Sequence, residues 1–220
     1  MPVLVRPMAP ADIPQVEQIE REAFPTTWPP TSFKRELQNR LARYLVVCRE
    51  QGEGASPAGG AVLVPERGAP GLFRRLWPFR RQGPLAPQPA IGGPPSFIEG
   101  FEGIWFLADE AHVVSIAVRE ACRRQGLGEL LLLAAIELVT ARGSREMTLE
   151  VRASNEAAQA LYQKYGFRKV GVRRGYYSDN REDAVIMTTD PLDSLPYRAA
   201  FERLKAAYRD RWGEVVRRLS

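Results

Sequence analysis

A short basic segment that contains two glycines is the part of the chain best suited to bind an anion. Residues 123–128 read Arg-Arg-Gln-Gly-Leu-Gly and lie between a β-branched run and a strongly apolar run. Because Gly126 and Gly128 lack side chains, backbone N–H groups at the start of a following helix can approach a bulky anion. The positive helix end and the guanidinium groups of Arg123 and Arg124 favour phosphate. A strand-to-helix turn without a ligand is the alternative interpretation.

The same segment does not have the form of the common nucleotide-binding loops. It lacks the Gly-Lys-Ser/Thr ending of a P-loop, and its glycine spacing differs from that of a dinucleotide-binding turn. The sequence therefore predicts a phosphate-binding loop of another type.

A carboxylate on a predicted strand is the first candidate for proton transfer. In the strand expected at 147–151, Leu149 and Val151 point to one side and Glu150 to the other. Glu150 comes near the end of that strand, where a substrate amine could enter. A surface ion pair with a neighbouring arginine is the alternative.

The next predicted helix contributes a phenol and an amide. Asn155 and Tyr162 are seven residues apart, which places them on one helix face and about 10.5 Å apart along the axis. This spacing suits an extended pantetheine arm, whereas a purely structural Tyr162 is the alternative. The only histidine, His112, precedes a strand, and we expect a structural role for it.

Several segments together resemble a known enzyme family. The pattern Arg-x-x-Gly-x-Gly after Ile-Ala-Val resembles the acyl-CoA loop of the GNAT N-acetyltransferases. Four further segments resemble the RimI-type members, the bacterial ribosomal-protein alanine N-acetyltransferases: residues 149–155, 160–162 with Gly166-Phe167, 173–177 and 181–187. The resemblance is close from about residue 109 to 188 and weaker over 1–48. It does not cover residues 65–97 or the C-terminal tail.

The resemblance implies specific roles for residues of this chain. Glu150 would be the general base for the substrate amine, directly or through water, and Tyr162 would protonate the departing thiolate of CoA. The implied cofactor contacts are Ile116, Ala117 and Val118 through their backbone, Arg123, Arg124, Gln125, Gly126, Leu127, Gly128 and Glu129 around the pyrophosphate, and Asn155. At Glu129 the chain departs from the pattern, because a basic residue is common there. We expect Tyr176, Tyr177 and the loop before Ala184 to form one wall of the substrate groove and the break around Trp28 to form the other. The alternative for Trp28 is a structural contact that holds the two flanking helices together.

The predicted elements fit a mixed α/β fold with a mixed sheet, the GNAT acyl-CoA N-acyltransferase fold. The periodicities predict strands at 3–5, 44–48, 60–64, 104–107, 113–118, 147–151, 167–172 and 184–188, with a hairpin joining the fourth and fifth. They predict helices at 12–24, 31–41, 128–142 and 155–165, with Ser154 as the cap of the last one and Gly143 and Gly166 as helix ends.

Two appendages account for the positive charge of the 220-residue chain. The formal net charge is +5, to which residues 65–97 contribute +4 and residues 191–220 contribute +3. We predict a GNAT domain over 1–190, with 65–97 as a flexible Pro/Gly/Arg-rich insertion that could contact RNA, a ribosome or an anionic membrane, or be only a solvated loop. Residues 191–220 are predicted as an amphipathic helical extension that packs on the domain or on a partner chain. Its apolar stripe comprises Phe201, Leu204, Tyr208, Trp212, Val215 and Leu219.

The composition narrows the possible environments and leads to a functional hypothesis. With only Cys48 and Cys122, a disulfide framework or a structural zinc site is not expected, and no apolar run approaches the roughly 20 residues of a membrane span. We expect a cytoplasmic enzyme without a secretory signal that uses acetyl-CoA as cosubstrate and no metal. The hypothesis is acetyl transfer to the N-terminal amine of a protein, with the N-terminal alanine of small ribosomal subunit protein number eighteen as substrate. The alternatives are a GNAT enzyme that acts on lysine or a small amine, and a non-catalytic acetyl-CoA-binding module on the ribosome or RNA.

Overall fold

The fold was analysed in a computed structural model, which describes residues 3–24, 30–49 and 96–219. Trp28, the strand predicted at 60–64 and nearly all of the predicted insertion at 65–97 lie outside these ranges.

The described strands form a single mixed sheet. They are β1 (Val3–Pro7), β2 (Ala42–Arg49), β3 (Phe97–Leu107), β4 (Glu110–Val118), β5 (Glu146–Arg152), β6 (Phe167–Tyr177), β7 (Glu182–Thr189) and β8 (Val216–Arg217). Within the described residues the order is β6-β7-β5-β4-β3-β2-β1-β8. The β4–β5 and β1–β8 pairs are parallel, whereas the other pairs are antiparallel. The predicted α/β class and the β3–β4 hairpin are confirmed.

Helices cover both faces of this sheet. They are α1 (Ile13–Ala23), α2 (Phe33–Glu36), α3 (Leu127–Ala141), α4 (Glu156–Lys164) and α5 (Leu195–Trp212). None of the helices in the described ranges combines the length and hydropathy needed to cross a membrane.

The alternation of side chains along the strands divides the core into two parts. On β2, Leu45 and Val47 face the core that contains α3, α4 and α5, whereas Val46 and Cys48 face the core that contains α1 and Phe33 of α2. Helix α3 is apolar on nearly all sides, and most of its residues from Leu127 to Val139 are therefore buried. The two cysteines are buried free thiols, one in each core.

Several element boundaries differ from the prediction for local reasons. The helix expected to reach residue 41 ends at Glu36, since Asn39 uses its side-chain oxygen to accept a hydrogen bond from the Leu41 N–H and its carbonyl to accept one from Ala42. This turn leads directly into β2. Strand β6 continues to Tyr177, through residues that were predicted as a loop. Gly143 and Gly166 do end helices, with φ values of +77° and +84°.

The C-terminal segment is not one continuous helix. Helix α5 ends at Trp212, and Gly213 follows with φ of +85°, a left-handed value that favours glycine. The chain then returns as β8 beside β1, and Val215 and Leu219 pack against the same core as α5. The prediction that those two residues extend the helical stripe was therefore wrong. The apolar residues of the tail pack on their own domain.

The end of α5 lies against the predicted anion-binding loop. Gly126 has φ of +77°, and a Cβ built there would lie 2.6 to 2.9 Å from three atoms of the Trp212 indole. Only a residue without a side chain can therefore occupy this position while Trp212 stays in place.

We expect Gly126→Ala to cost more stability than Gly143→Ala. The two glycines have the same φ of +77°, but a Cβ at Gly143 meets nothing within 4 Å. Gly143→Ala should lower the unfolding free energy by about 1–2 kcal/mol through backbone strain alone, and Gly126→Ala by roughly a further 1–3 kcal/mol because Trp212 must move. Urea unfolding monitored by circular dichroism measures both values, and equal losses would show that Trp212 does not constrain the loop.

Candidate active site

The candidate site is a cleft where two neighbouring parallel strands separate. Strands β4 and β5 pair from Glu110 opposite Glu146 to Val113 opposite Leu149. Beyond that point the described strands no longer pair with each other, although β4 continues beside β3 to Val118 and β5 continues beside β7 to Arg152. Backbone polar groups need partners, so the facing main-chain edges can bind an extended amide ligand.

The loop after β4 closes one end of this cleft. Arg124 and Gly126 both have positive φ, 63° and 77°, which turns neighbouring N–H groups towards the same side, as in an anion-binding nest. Gly126 is the N-cap of α3, and the amides of the first helical turn have no partners within the helix. A Cβ on Gly128 would lie 3.8 Å from Val118, which places the loop next to the end of β4.

Side chains of the loop and of the first turn of α3 make local hydrogen bonds. The Nε of Arg123 donates to the carbonyl of Val118 at 3.3 Å, and Arg49 donates to the Gln125 side-chain oxygen at 3.1 Å. Glu129 accepts from Lys164 at 2.5 Å and from the Tyr165 hydroxyl at 2.8 Å. The acidic residue that departs from the family pattern is thus paired with a lysine of α4, which offsets its negative charge at the helix start.

Glu150 is a buried carboxylate held by two basic partners. Only 7% of its side chain is exposed, and its oxygens lie 2.6 Å from His112 Nε2 and 3.1 Å from a guanidinium nitrogen of Arg173. Burial alone would raise the pKa of Glu150, but the hydrogen bond and charge of His112, together with the charge of Arg173, lower it below its ordinary value. Glu150 is therefore ionised at neutral pH.

His112 and Arg173 were not identified as site residues from the sequence. His112 is opposite Thr148 in the parallel β4–β5 register, two residues before Glu150, and Arg173 comes from the part of β6 that was predicted as a loop. Because both contacts depend on strand pairing, no local sequence pattern could reveal them. His112, for which a structural role was expected, contacts the carboxylate of Glu150 directly.

Tyr162 is a buried phenol on α4. Its side chain is only 5% exposed, and its ring packs against Phe167 at 5.7 Å between centroids. Burial is the largest cause that raises its pKa, and electrostatic interactions with Glu102 and Tyr177 add to it. The phenol is therefore neutral and protonated at neutral pH.

The proposed base and acid approach the cleft from opposite faces of the sheet. Leu149 and Val151 belong to the α3 and α4 side of the core, as does Tyr162, so Glu150 points to the other side. Within the described residues, neither a hydrogen bond nor an ion pair joins Glu150 to Tyr162.

The two groove tyrosines lie beside Glu150. Their rings meet edge to face with centroids 5.2 Å apart. The guanidinium of Arg152 lies 4.0 Å from the Tyr177 ring centroid, and that of Arg173 lies 5.6 Å from the Tyr176 ring. Both tyrosines are partly exposed, so the structure places two aromatic surfaces at the edge of the cleft.

Asn155 serves as the N-cap of α4. Its side-chain oxygen accepts a hydrogen bond from the Ala158 N–H at 3.1 Å, so the prediction of Ser154 as the cap was wrong. Ser154 instead donates its backbone N–H to Glu182 at 2.7 Å. The cap occupies the oxygen of Asn155, which leaves its amide nitrogen as the group that can face a ligand.

The combined chemistry is that of acyl transfer to an amine. Main-chain polar groups and the ionised Glu150 lie where β4 and β5 separate, the loop at 123–128 follows β4, and the neutral Tyr162 is on the opposite face of the sheet. Among the described residues, no group of three or more His, Cys, Asp or Glu side chains could hold a metal ion.

Comparisons with known proteins agree with this geometry. Residues 13–167 match the model of the Acetyltransferase (GNAT) family. The chain is 34% identical over 184 residues to a Bacillus subtilis protein provisionally named as a ribosomal protein bS18-alanine N-acetyltransferase, across 83% of this chain and 92% of that protein. The Escherichia coli ribosomal protein bS18-alanine N-acetyltransferase is 51% identical over 81 residues, across 36% of this chain and 55% of that protein.

Comparison of the fold with solved structures identifies the same kind of enzyme. The crystal structure of the E. coli ribosomal-protein-S18-alanine N-acetyltransferase superposes with a TM-score of 0.60 and 27% identity, across 87% of this chain and 95% of that one. The chain belongs to the GNAT acetyltransferase family, and its resemblance to the RimI-type members is confirmed. It is an N-acetyltransferase.

Loss of one partner of Glu150 should have a measurable, pH-dependent cost. We expect Arg173→Met to lower the unfolding free energy at pH 7 by about 1 kcal/mol, since it removes an ion-pair partner of a buried carboxylate. Arg173 is itself 42% exposed, which limits the loss. On the same strand, Arg168 is 72% exposed beside Asp190, and Arg168→Met should cost less than about 0.5 kcal/mol.

The sign of the pH dependence follows from the lowered pKa of Glu150. Its stabilising contribution is present above the ordinary glutamate pKa of about 4.3 and is lost as pH falls through the folded-state value. The stability gap between wild type and Arg173→Met should therefore be constant from pH 7 to about 5 and narrow below that range. Denaturant titrations at each pH measure the gap, and a gap that widens on acidification would contradict the ionised state of Glu150.

Proposed function

We propose that this enzyme transfers the acetyl group of acetyl-CoA to the N-terminal α-amine of a protein, with the N-terminal alanine of ribosomal protein bS18 as its substrate. The observation that carries the proposal is the ionised, buried Glu150 at the point where β4 and β5 separate. The names of the B. subtilis and E. coli relatives support the choice of substrate. A ribosomal substrate would place the enzyme in the cytoplasm.

Acetyl-CoA would bind along the main chain of β4. The pantetheine amides would pair with the backbone of Ile116, Ala117 and Val118, which β5 leaves unpaired. The pyrophosphate would meet the amides of residues 123–129, including the first turn of α3. The amide nitrogen of Asn155 would add a contact to the pantetheine arm.

The weak basicity of Glu150 favours an α-amine over a lysine side chain. An α-amine has a pKa of about 8 and a lysine about 10.4, so near neutral pH the neutral fraction of the α-amine is more than about 100-fold larger. A carboxylate with a lowered pKa cannot compensate for such a difference. Glu150 would accept the proton directly or through water once the amine attacks the thioester.

Tyr162 would complete the transfer on the other face of the sheet. As the tetrahedral intermediate collapses, its phenol would donate a proton to the sulfur of the departing thiolate. Unpaired N–H groups of the cleft would stabilise the oxyanion. The thioester is already activated, so the enzyme mainly positions the amine and the carbonyl carbon.

The substrate peptide would enter on the face that carries Glu150. Tyr176 and Tyr177 form an aromatic surface there, and their partly exposed rings suit contact with the first residues of a peptide. Trp28 is proposed for the opposite wall of the groove.

The substrate assignment is tested by intact mass analysis of peptides incubated with acetyl-CoA. A peptide with the N-terminal sequence of bS18 and a free α-amine should gain one acetyl group. The same peptide with a blocked α-amine and an added internal lysine should gain none. Acetylation of the blocked peptide at an equal rate would identify the enzyme as a lysine acetyltransferase instead.

We expect Glu150→Gln and Tyr162→Phe each to slow acetylation by roughly 10²-fold or more, because each removes a proton-transferring group. Binding of acetyl-CoA, measured by calorimetry, should be largely retained. Glu146→Gln is the matched control for the first variant, since Glu146 lies on the same strand at its paired end. Wild-type rates in either test variant would remove the role assigned to that residue.

A further inference from the structure

A second buried glutamate faces the same core as Tyr162 and was not identified from the sequence. Glu102, in the middle of β3, is 0% exposed, and in the described chain neither of its carboxylate oxygens has a hydrogen-bond partner. An ionised carboxylate in such a position would be very unfavourable, because it has lost water without gaining a partner. Burial raises the pKa of Glu102 to about 8, so it is a neutral carboxylic acid near pH 7.

The register of the sheet places Glu102 beside the candidate site. It is opposite Leu45 on β2 and Ile116 on β4, and residues opposite each other share a face of the sheet. Leu45 and Ile116 contact the core formed with α3, α4 and α5. This is the face from which Tyr162 approaches, and Tyr162 interacts electrostatically with Glu102.

We propose that Glu102 supplies the proton that replaces the one Tyr162 gives to the departing CoA thiolate. This inference rests on the proposed function and on Tyr162 as its acid. Because Glu102 acts through Tyr162, it is a positioning residue that sets the protonation state of the phenol.

The proton transfers balance as follows. The bond between the amine nitrogen and the acetyl carbon forms, the C–S bond of the thioester breaks, the O–H bond of Tyr162 breaks, and the S–H bond of CoA forms. The O–H bond of the Glu102 carboxyl then breaks as the phenol O–H forms again, and a water molecule carries the proton between the two side chains, because they share no hydrogen bond in the described chain. The substrate amine has lost its proton through Glu150, and Glu102 regains one from solvent after the products leave. The net products are the acetylated amine and CoA with a free thiol.

A comparison of acidities shows why a second acid is useful. A thiol has a pKa of about 8.5 and an ordinary tyrosine about 10, so proton transfer from tyrosine to a thiolate is unfavourable by at least roughly 30-fold. Burial raises the pKa of Tyr162 further and makes the transfer still less favourable. The Glu102 carboxyl, with a pKa of about 8, matches the thiol closely. Proton transfer that leaves a Tyr162 phenolate is therefore less favourable than transfer that leaves a Glu102 carboxylate.

The surroundings of Glu102 explain why it can hold a proton. Burial is the cause of its raised pKa, and its partners across β2 and β4 are the apolar Leu45 and Ile116. From α4, the titratable side chain that faces it is Tyr162. Among the described residues, Tyr162 is thus the titratable group whose pKa responds to Glu102.

The test is steady-state kinetics of Glu102→Gln with the bS18 peptide over pH 6 to 10. Glutamine keeps the size of the side chain but cannot give up a proton. In the wild type, we expect kcat to decline above about pH 8 as Glu102 loses its proton. In Glu102→Gln, we expect kcat to be about 10-fold lower or more, KM for acetyl-CoA to change little, and the decline above pH 8 to be absent. Glu102→Asp, which keeps the carboxyl, should recover part of the rate. An unchanged kcat and pH profile in Glu102→Gln would overturn the inference.

A double-mutant cycle separates a relay from a general structural effect. If Glu102 acts through Tyr162, Glu102→Gln should cause little further loss in a Tyr162→Phe background. An equal fold-loss in both backgrounds would overturn the relay. If the wild type acetylates no N-terminal peptide, the proposed function fails and the relay fails with it. An active wild type with an unaffected Glu102→Gln variant overturns the relay alone.

Stability measurements give a readout that does not depend on activity. The folded-state pKa of Glu102 lies above its unfolded value, so its contribution to stability should decrease as pH rises from about 4.5 to 8. Glu102→Gln should remove this decrease, which makes the variant progressively more stable than the wild type over that interval. Parallel pH dependences would show that Glu102 is ionised throughout and would overturn the inference.

Discussion

The site depends on the loss of pairing between two parallel strands. Up to Val113 and Leu149, β4 and β5 satisfy each other's backbone groups, and past that point they separate while their outer edges stay paired with β3 and β7. The sheet therefore stays rigid around an opening in its own hydrogen-bond ladder. A rigid opening lined by main-chain donors and acceptors can bind a long amide-containing cofactor without a dedicated set of side chains.

The same opening gives the two faces of the sheet different chemistry. On one face, His112 and Arg173 stabilise the negative charge of Glu150. On the other, the apolar core around α3 and α4 keeps Tyr162 and Glu102 in their neutral, protonated forms. In the proposed reaction, Glu150 would accept a proton on one face, and Tyr162 and Glu102 would donate protons on the other. Both could act on the same reaction because the sheet is open between them. Glu150 and Glu102 have the same side chain, so their different protonation states result from their different surroundings.

The sequence predicted the features that depend on local patterns. Glu150, Tyr162 and the loop at 123–128 belong to short motifs, and the helix ends at Gly143 and Gly166 follow from the backbone freedom of glycine. His112 and Glu102 could not be identified in this way, because their relevance arises from strand register between distant segments. The β8 strand likewise reflects a tertiary contact, its pairing with β1, which outweighs local helical periodicity.

The C-terminal segment connects distant parts of the domain through the contact of Trp212 with Gly126. Tyr197, Phe201 and Tyr208 of α5 are buried in the core that contains α3, and Trp212 at its end lies over Gly126. After Gly213, β8 pairs with β1 at the outer edge of the sheet. The tail is therefore attached both at the loop proposed to hold the pyrophosphate and at the far edge of the sheet. A helix anchored in this way restricts the positive-φ conformation of Gly126 from outside, so the shape of the anion-binding loop depends on residues more than 80 positions later in the chain.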